Sequence, residues 1–309
     1  MVKSLKIIAD TTAFVLEKAC AVAIGKFDGV HVGHRRLLEE ILAQKGNGLE
    51  ACVFTFDPPP AVLFGSSDGK ELTTKEEKRI LFERMGIDVL IEFPLTFETA
   101  TMSPECFAEQ ILSEQMKAKF IAAGTDLSFG AKGAGNAELL RKLGRKLGFT
   151  VKTIEKVCIQ GMEVNSTYIR KQLKEGNMQP VRDFLGVPYT VLGTVVHGNR
   201  IGRTLGFPTV NLLPQKNKLL PPNGVYYSEV LFKGQKYRAI SNIGYKPTVT
   251  EEKVMGVESY LYDFDEEIYD ETIEVHLYGF KRPEQKFESL EGLRQQLGKD
   301  IQDGAEFQR

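Results

Sequence analysis

From about residue 21 to residue 156 the chain alternates short apolar runs with amphipathic segments, the rhythm of repeated βαβ units around a parallel sheet. Residues 21–24, 51–56, 89–93, 120–123 and 149–154 read as strands, with 21–24 as the first. The helices between them have legible ends. Thr74 with Glu77 makes a capping box, Gly86 and Gly148 are C-terminal stops, and Ser103 before Pro104 places a cap ahead of a first-turn proline. Leu37, Leu38, Ile41 and Leu42 form one stripe, so the helix after His34 packs on the sheet. This half, residues 1–186, is expected to be a doubly wound, Rossmann-like α/β domain.

After Phe184-Leu-Gly-Val-Pro188 the texture changes to strand-like alternation punctuated by Gly and Pro turns, with almost no helical period until Ser289. Segments 190–196, 224–231, 237–243, 257–262 and 271–278 are strand candidates spaced as in a small antiparallel β-barrel. Leu290, Leu293, Leu297 and Ile301 share one face of a terminal helix over 289–301. A second, largely β domain over residues 187–309 is the expectation.

Composition narrows the classes. The 309 residues suffice for two cores, and 42% apolar with 26% charged residues is ordinary for a globular protein. No run approaches the roughly 20 apolar residues of a membrane helix. The opening residues meet charge too early for a signal-peptide core, and Cys20, Cys52, Cys106 and Cys158 form no pattern, which together suit the cytoplasm. A net charge of −1 supplies no field for a polyanion, so neither nucleic acid nor membrane is an expected partner.

The densest chemistry is Gly25-Lys-Phe-Asp-Gly-Val-His31-Val-Gly-His34, between the first strand and its helix. In an open α/β sheet ligands bind at this strand edge, and a glycine-rich turn into a helix N-terminus offers N–H groups to phosphate. A fragment of a zinc site is the metal alternative, but the scattered cysteines provide no ligand pair. Two of only four histidines lie in this four-residue window, which weighs against ordinary loop residues. A second signal is Asn165-Ser166-Thr167-Tyr168-Ile169-Arg170-Lys171. Simple helix capping accounts for its hydroxyls, whereas cations at a helix start oppose the dipole unless an anion meets them.

His-x-Gly-His early and Ser-Thr-x-x-Arg late form a nucleotidyltransferase pattern, in which a phosphate attacks the α-phosphorus of a nucleoside triphosphate and His31, His34 and Arg170 stabilise charge. With Phe54-Thr-Phe-Asp-Pro58 and Gly124-Thr-Asp-Leu-Ser-Phe-Gly130, nearly the whole chain resembles the bifunctional bacterial riboflavin kinase/FMN adenylyltransferase family, the prokaryotic FAD synthetases. The resemblance implies that the N-terminal domain transfers AMP from ATP to FMN, with Gly25, Phe27, Asp28, Gly33, Phe56, Asp126, Phe129, Ser166 and Thr167 around the nucleotide and flavin. Core packing is the competing reading for Phe56 and Phe129.

In the second half, Gly193 to Arg203 followed by Leu205-Gly-Phe-Pro208-Thr209-Val210-Asn211 resembles the kinase's phosphate loop and its Pro-Thr-x-Asn motif. It implies that Gly193, Gly198, Gly202, Arg203 and Gly206 cradle ATP and that Thr209 and Asn211 hold Mg²⁺, for which they offer hard oxygens. Mg²⁺ is expected to serve both reactions. Glu258 aligns with the family's catalytic Glu, flanked by Gly244-Tyr-Lys-Pro247-Thr248 and Arg282-x-Glu284-x-x-Phe287. The substrates and products implied are riboflavin, FMN, FAD and ATP; the resemblance also implies a capacity for self-association.

The sequence departs from the family at Pro59 and Tyr260, where His is common, at Asn165, where Ser is usual, and at Asp270 in place of Gly. Two alternatives therefore stand beside the bifunctional enzyme: an adenylyltransferase whose barrel no longer phosphorylates riboflavin, and a nonenzymatic flavin or nucleotide sensor.

Overall fold

The structure, a computed structural model, describes residues 4–198, 201–247 and 253–308. The chain divides into two compact units, Met1–Asn165 and Ser166–Arg309.

The first unit is built on six strands: β1 (Lys6–Ala9), β2 (Cys20–Ile24), β3 (Glu50–Asp57), β4 (Val89–Pro94), β5 (Ala118–Gly124) and β6 (Thr150–Ile154). Their order is β1-β4-β3-β2-β5-β6 and every pairing is parallel. From β2 the chain builds outward through β3 and β4, then crosses back to add β5 on the other side of β2. The crevice beyond the C-terminal ends of β2 and β5 is thus the topological switch point, where this class of sheet binds ligands. Strand β1 has no counterpart in the apolar pattern: it is a four-residue edge strand beginning at Lys6, too short and too exposed for a periodicity signal.

Helices α1 (Val32–Ala43), α2 (Lys75–Met85) and α3 (Ala137–Leu147) cover the sheet. The Thr74–Glu77 capping box forms as expected, with Gly86 ending α2 at φ 82° and Gly148 ending α3 at φ 79°. One face of the sheet buries Phe54, Phe93, Phe107, Leu112 and Leu140; the other buries Phe27, Leu38, Ile41, Val53 and Phe82. Apolar residues on both faces explain the continuous hydrophobic runs of β2 and β3. Ser103 caps Pro104–Cys106, after which the helix widens into a π-helix over Phe107–Gln115.

The second unit opens with α4 (Ser166–Lys174) and α5 (Met178–Leu185) and continues into six strands: β7 (Tyr189–Val196), β8 (Val210–Pro214), β9 (Gly224–Phe232), β10 (Gln235–Pro247), β11 (Lys253–Leu261) and β12 (Thr272–Pro283). All pairings are antiparallel, and the order β7-β8-β11-β10-β9-β12 closes into a barrel. Val191, Leu212, Val230, Val257, Val275 and Leu277 fill it. Inside, Ser228, Ser241 and Ser259 satisfy one another through 2.7 Å hydrogen bonds across three strands. The short β8, left out of the five expected strands, is the sixth needed for closure.

Helix α6 (Leu290–Glu306), capped by Ser289, lies on the barrel through Asp300. That carboxylate is 1% exposed and takes a forked hydrogen bond from Arg282, Nε to Oδ1 at 3.0 Å and Nη2 to Oδ2 at 2.5 Å. The composition shift near residue 186 and the unit boundary at Ser166 differ by α4 and α5, with α5 packing against β7 and β12.

Candidate active sites

In the first unit the turn between β2 and α1 carries the histidine motif under unusual backbone constraint. Phe27 has φ 50°, Gly29 φ 86° and Val30 φ 43°. A β-branched residue at positive φ is strained, and such strain persists only where the surroundings impose it. Here Asp28 Oδ1 accepts the Leu72 N–H at 2.8 Å, pinning the turn to the approach of α2.

The His31 and His34 rings stack at 3.7 Å between centroids, 15° from parallel. His31 caps α1: its Nδ1 accepts the His34 N–H at 3.3 Å, so in the neutral ring the proton sits on Nε2. His34 Nδ1 is buried with no hydrogen-bond partner. Burial pushes His31 down to about 4, against the opposing pull of Asp28 and Asp126. Burial, then His31 and Lys78, holds His34 well below the ordinary imidazole range. At neutral pH the pair therefore offers neutral donors and acceptors rather than two cations.

The neighbouring residues divide by task. Phe27 is wholly buried and supports His34 from 5.1 Å, edge-on to Phe82 at 5.6 Å. A Cβ at Gly25 would stand 3.2 Å from the Phe27 ring, and one at Gly33 3.2 Å from His31 Nδ1, so both glycines make room for the aromatic seats. Beyond β5, Asp126 lies within electrostatic reach of His31 and pairs with Lys156 at 3.5 Å. Phe129 is 3% exposed and packs on Phe107, while half-buried Phe56 meets Phe54 edge-on at 5.3 Å. Both rings are packed as the core reading expects, with Phe56 the more open.

Two features at this edge escaped the sequence pattern. Phe64 and Phe97, 60% and 70% exposed, meet edge-on at 6.2 Å on the loops beyond β3 and β4. Lys75 joins Asp57 at 2.5 Å to the buried Glu92 at 3.3 Å, and Arg79 grips Glu92 with Nε at 2.9 Å. The exposed aromatics could have been flagged by their polar, proline-rich surroundings; the ion network joins residues far apart in sequence and carries no local signal.

Ser166, Thr167 and Arg170 stand on α4 in the second unit. The helix begins at Ser166, so Arg170 and Lys171 fall beyond the first turn, where opposition to the dipole is weak and no longer argues for an anion.

In the barrel, motif residues distant in sequence converge. Asn211 on β8 and Glu258 on β11 are direct cross-strand neighbours. Thr209 Oγ1 donates to Glu258 Oε1 at 2.5 Å. The loop after β7 presses on this row: a Cβ on Gly198 would fall 2.5 Å from Asn211 Nδ2, and one on Gly202 3.3 Å from Thr209 Oγ1. Gly206 is in a left-handed conformation at φ 88° with open space around it. Gly193 instead lies within β7, paired with Pro214 and Ile273. Asn199, Arg200 and Thr248 lie outside the described residues, as does the Arg203 side chain. Unforeseen members of the cluster are Asn242, cross-strand from Glu258, and Asn223; both amides donate to Glu284 at 3.1 Å.

The hydroxyl of Thr209 and the amide oxygen of Asn211 are hard donors suited to Mg²⁺. No cluster of three His, Cys, Asp or Glu able to hold a metal occurs among the described residues. No helix among them is long and apolar enough to cross a membrane.

A parallel-sheet unit with paired histidines at its switch point, followed by a closed barrel with a glycine loop against Thr209, Asn211 and Glu258, defines a nucleotidyltransferase joined to a flavokinase. The FAD synthetase family model matches residues 15–168, and the riboflavin kinase model residues 185–307. A bifunctional riboflavin kinase/FMN adenylyltransferase from Listeria monocytogenes is 37% identical, over 93% of this chain and 91% of that one. Its counterpart in Escherichia coli K12 is 34% identical over 94% and 93%. A Streptococcus pneumoniae crystal structure, described as a macrolide-efflux protein, superposes with a TM-score of 0.86 at 28% identity, over 98% of this chain and 99% of that one. The chain belongs to the bifunctional riboflavin kinase/FMN adenylyltransferase family.

Proposed function

We propose that the chain makes FAD from riboflavin in two steps: riboflavin and ATP give FMN and ADP in the barrel unit, then FMN and ATP give FAD and pyrophosphate in the α/β unit. The observation that carries this reading is that the paired histidines lie in the first unit under the FAD synthetase match, and Thr209, Asn211 and Glu258 lie together in the barrel under the riboflavin kinase match.

For phosphoryl transfer, Glu258 accepts the proton of the acceptor hydroxyl as that oxygen attacks the γ-phosphorus. Thr209 orients the carboxylate through its 2.5 Å hydrogen bond in the free site. Gly198 and Gly202 bring loop backbone close to Asn211 and Thr209, where N–H groups can meet phosphate oxygens. Thr209 and Asn211 would hold Mg²⁺, which when bound neutralises charge on the β- and γ-phosphates.

For adenylyl transfer no protein nucleophile is needed, since the FMN phosphate attacks the α-phosphorus directly. His31 Nε2–H and the unpartnered His34 Nδ1 support a role in holding the triphosphate: an orphan buried polar atom costs about 1–3 kcal/mol, which a bound partner recovers. The negative phosphates also favour protonation of both rings, turning neutral donors into charged ones as the ligand enters. Phe64 and Phe97 supply exposed ring faces fitting a flat flavin. Arg170, Ser166 and Thr167 are assigned to this reaction on the strength of their motif alone.

The substrates are small molecules, and four free cysteines suit the reducing cytoplasm as the compartment. Retention of Thr209, Asn211 and Glu258 in contact favours an active kinase over a silent barrel. The test is a pair of variants. Glu258→Gln should lose FMN formation and keep FAD formation from FMN, while His31→Ala should do the reverse; loss of both activities in either variant contradicts the assignment of one reaction to each unit.

A further inference from the structure

The outer face of the barrel carries Asn211, Glu258 and Asn242 at one level on the adjacent strands β8, β11 and β10. The row continues to Glu284, just past β12. Its Oε1 accepts an N–H from Asn242 at 3.1 Å and its Oε2 accepts one from Asn223 at 3.1 Å. Gly244 permits this placement, since a Cβ there would run into the Glu284 carboxylate. An exposed glutamate ordinarily leaves its carboxylate to water. This one is held at both oxygens by neutral amides, over bare strand backbone, two residues along the strand from Asn242.

The chemistry of the cluster is specific. Each carboxylate oxygen has a second lone pair, and each Asn, having turned an N–H toward Glu284, keeps its amide oxygen and its other N–H. A mixed set of acceptors and donors with a negative centre suits a neutral chain of hydroxyl groups and repels phosphate. Directly opposed side chains on neighbouring strands stand roughly 5 Å apart, so a chain of several hydroxylated carbons can touch Asn242 and Glu258 together.

We propose that Glu284, Asn242 and Asn223 form the polyol subsite of the kinase unit: they receive the ribityl chain of riboflavin and set which hydroxyl reaches Glu258. The proposal rests on the reading that Glu258 takes the acceptor hydroxyl. It makes Glu284 a specificity residue for the acceptor, with no part in holding ATP.

The test uses Glu284→Ala and Asn223→Ala in the full chain, with FMN formation measured against riboflavin and against ATP. Lumiflavin, which has the ring system of riboflavin without the hydroxylated chain, serves as inhibitor. In Glu284→Ala the KM for riboflavin should rise roughly tenfold or more, as expected for losing hydrogen bonds to a charged group. The lumiflavin inhibition constant, the KM for ATP and FAD formation from FMN should keep their parental values. Asn223→Ala should shift riboflavin in the same direction by less. An unchanged KM for riboflavin in both variants overturns the proposal, and so does an equal weakening of riboflavin and lumiflavin, which marks a structural effect. Failure of the Glu258 reading shows separately, as full FMN formation by Glu258→Gln.

Discussion

Thr209 Oγ1 donates to Glu258 Oε1 at 2.5 Å, tying the residue that precedes β8 to the middle of β11. The bond fixes the carboxylate's rotamer and leaves the hydroxyl's lone pairs for another partner. Thr209→Val keeps the side-chain shape and removes both functions. FMN formation should fall at least about a hundredfold, with FAD formation from supplied FMN unchanged, as read by separating the flavins chromatographically.

Gly198 faces Asn211 so closely that an added methyl would sit 2.5 Å from Nδ2 and 2.7 Å from Cγ. Asn211 is only 8% exposed and has little room to yield. Gly198→Ala should therefore raise the KM for ATP in the kinase reaction by displacing the loop from Asn211, while FAD formation from FMN is unchanged. Gly206→Ala, with open space but φ 88°, should instead cost about 1–2 kcal/mol of stability through backbone strain.

The depressed His31 pKa sets a pH dependence whose sign is fixed. The unfolded chain binds the proton below about 6.5 and the folded one only below about 4, so stability falls as pH drops between those values and the loss is complete below 4. The His31 resonance should titrate near 4 in the free protein. Addition of a nonhydrolysable ATP analogue should raise that value, with measurable proton uptake on binding near pH 6. A His31 that titrates at 6.5 with and without the analogue would contradict the buried-donor account.

Phe64 and Phe97 expose ring surface at the ligand edge of the sheet. Single alanine substitutions should raise the KM for FMN in adenylyl transfer by roughly fivefold, consistent with about 1 kcal/mol of ring contact beyond area burial. The KM for riboflavin in the kinase reaction should not move.

Asp300 is buried against Arg282 and is also approached by Lys281 at 3.6 Å. Asp300→Ala leaves Arg282, itself only 19% exposed, without its counter-ion, and should cost about 3–5 kcal/mol. Calorimetry should show this as earlier unfolding of the barrel unit.

How far the sequence reaches is clear from individual residues. Thr74 and Glu77 form their capping box because that signal is local. The family resemblance grouped Gly198, Thr209, Asn211 and Glu258, whereas Gly193 fell both in its phosphate loop and in the strand expected over 190–196, and it is the strand that forms. Lys6–Ala9 escaped notice because four residues on a sheet edge show no period. The π-helix over Phe107–Gln115 was likewise hidden, since its apolar spacing also fits an α-helix. Amphipathic helices such as α4 and α5 can pack against either neighbour, so composition placed the domain boundary at residue 186 while the compact unit begins at Ser166. Asn242 and Glu284 are 42 residues apart and meet only when the barrel closes, a relationship no linear motif encodes.

The most direct test of the two-step account is to incubate the purified chain with riboflavin, ATP and Mg²⁺ and follow the flavins over time. FMN should appear first and then give way to FAD, with one ATP consumed in each step. FAD that forms only when FMN is supplied would contradict the kinase half of the account, and absence of product from either flavin would contradict both.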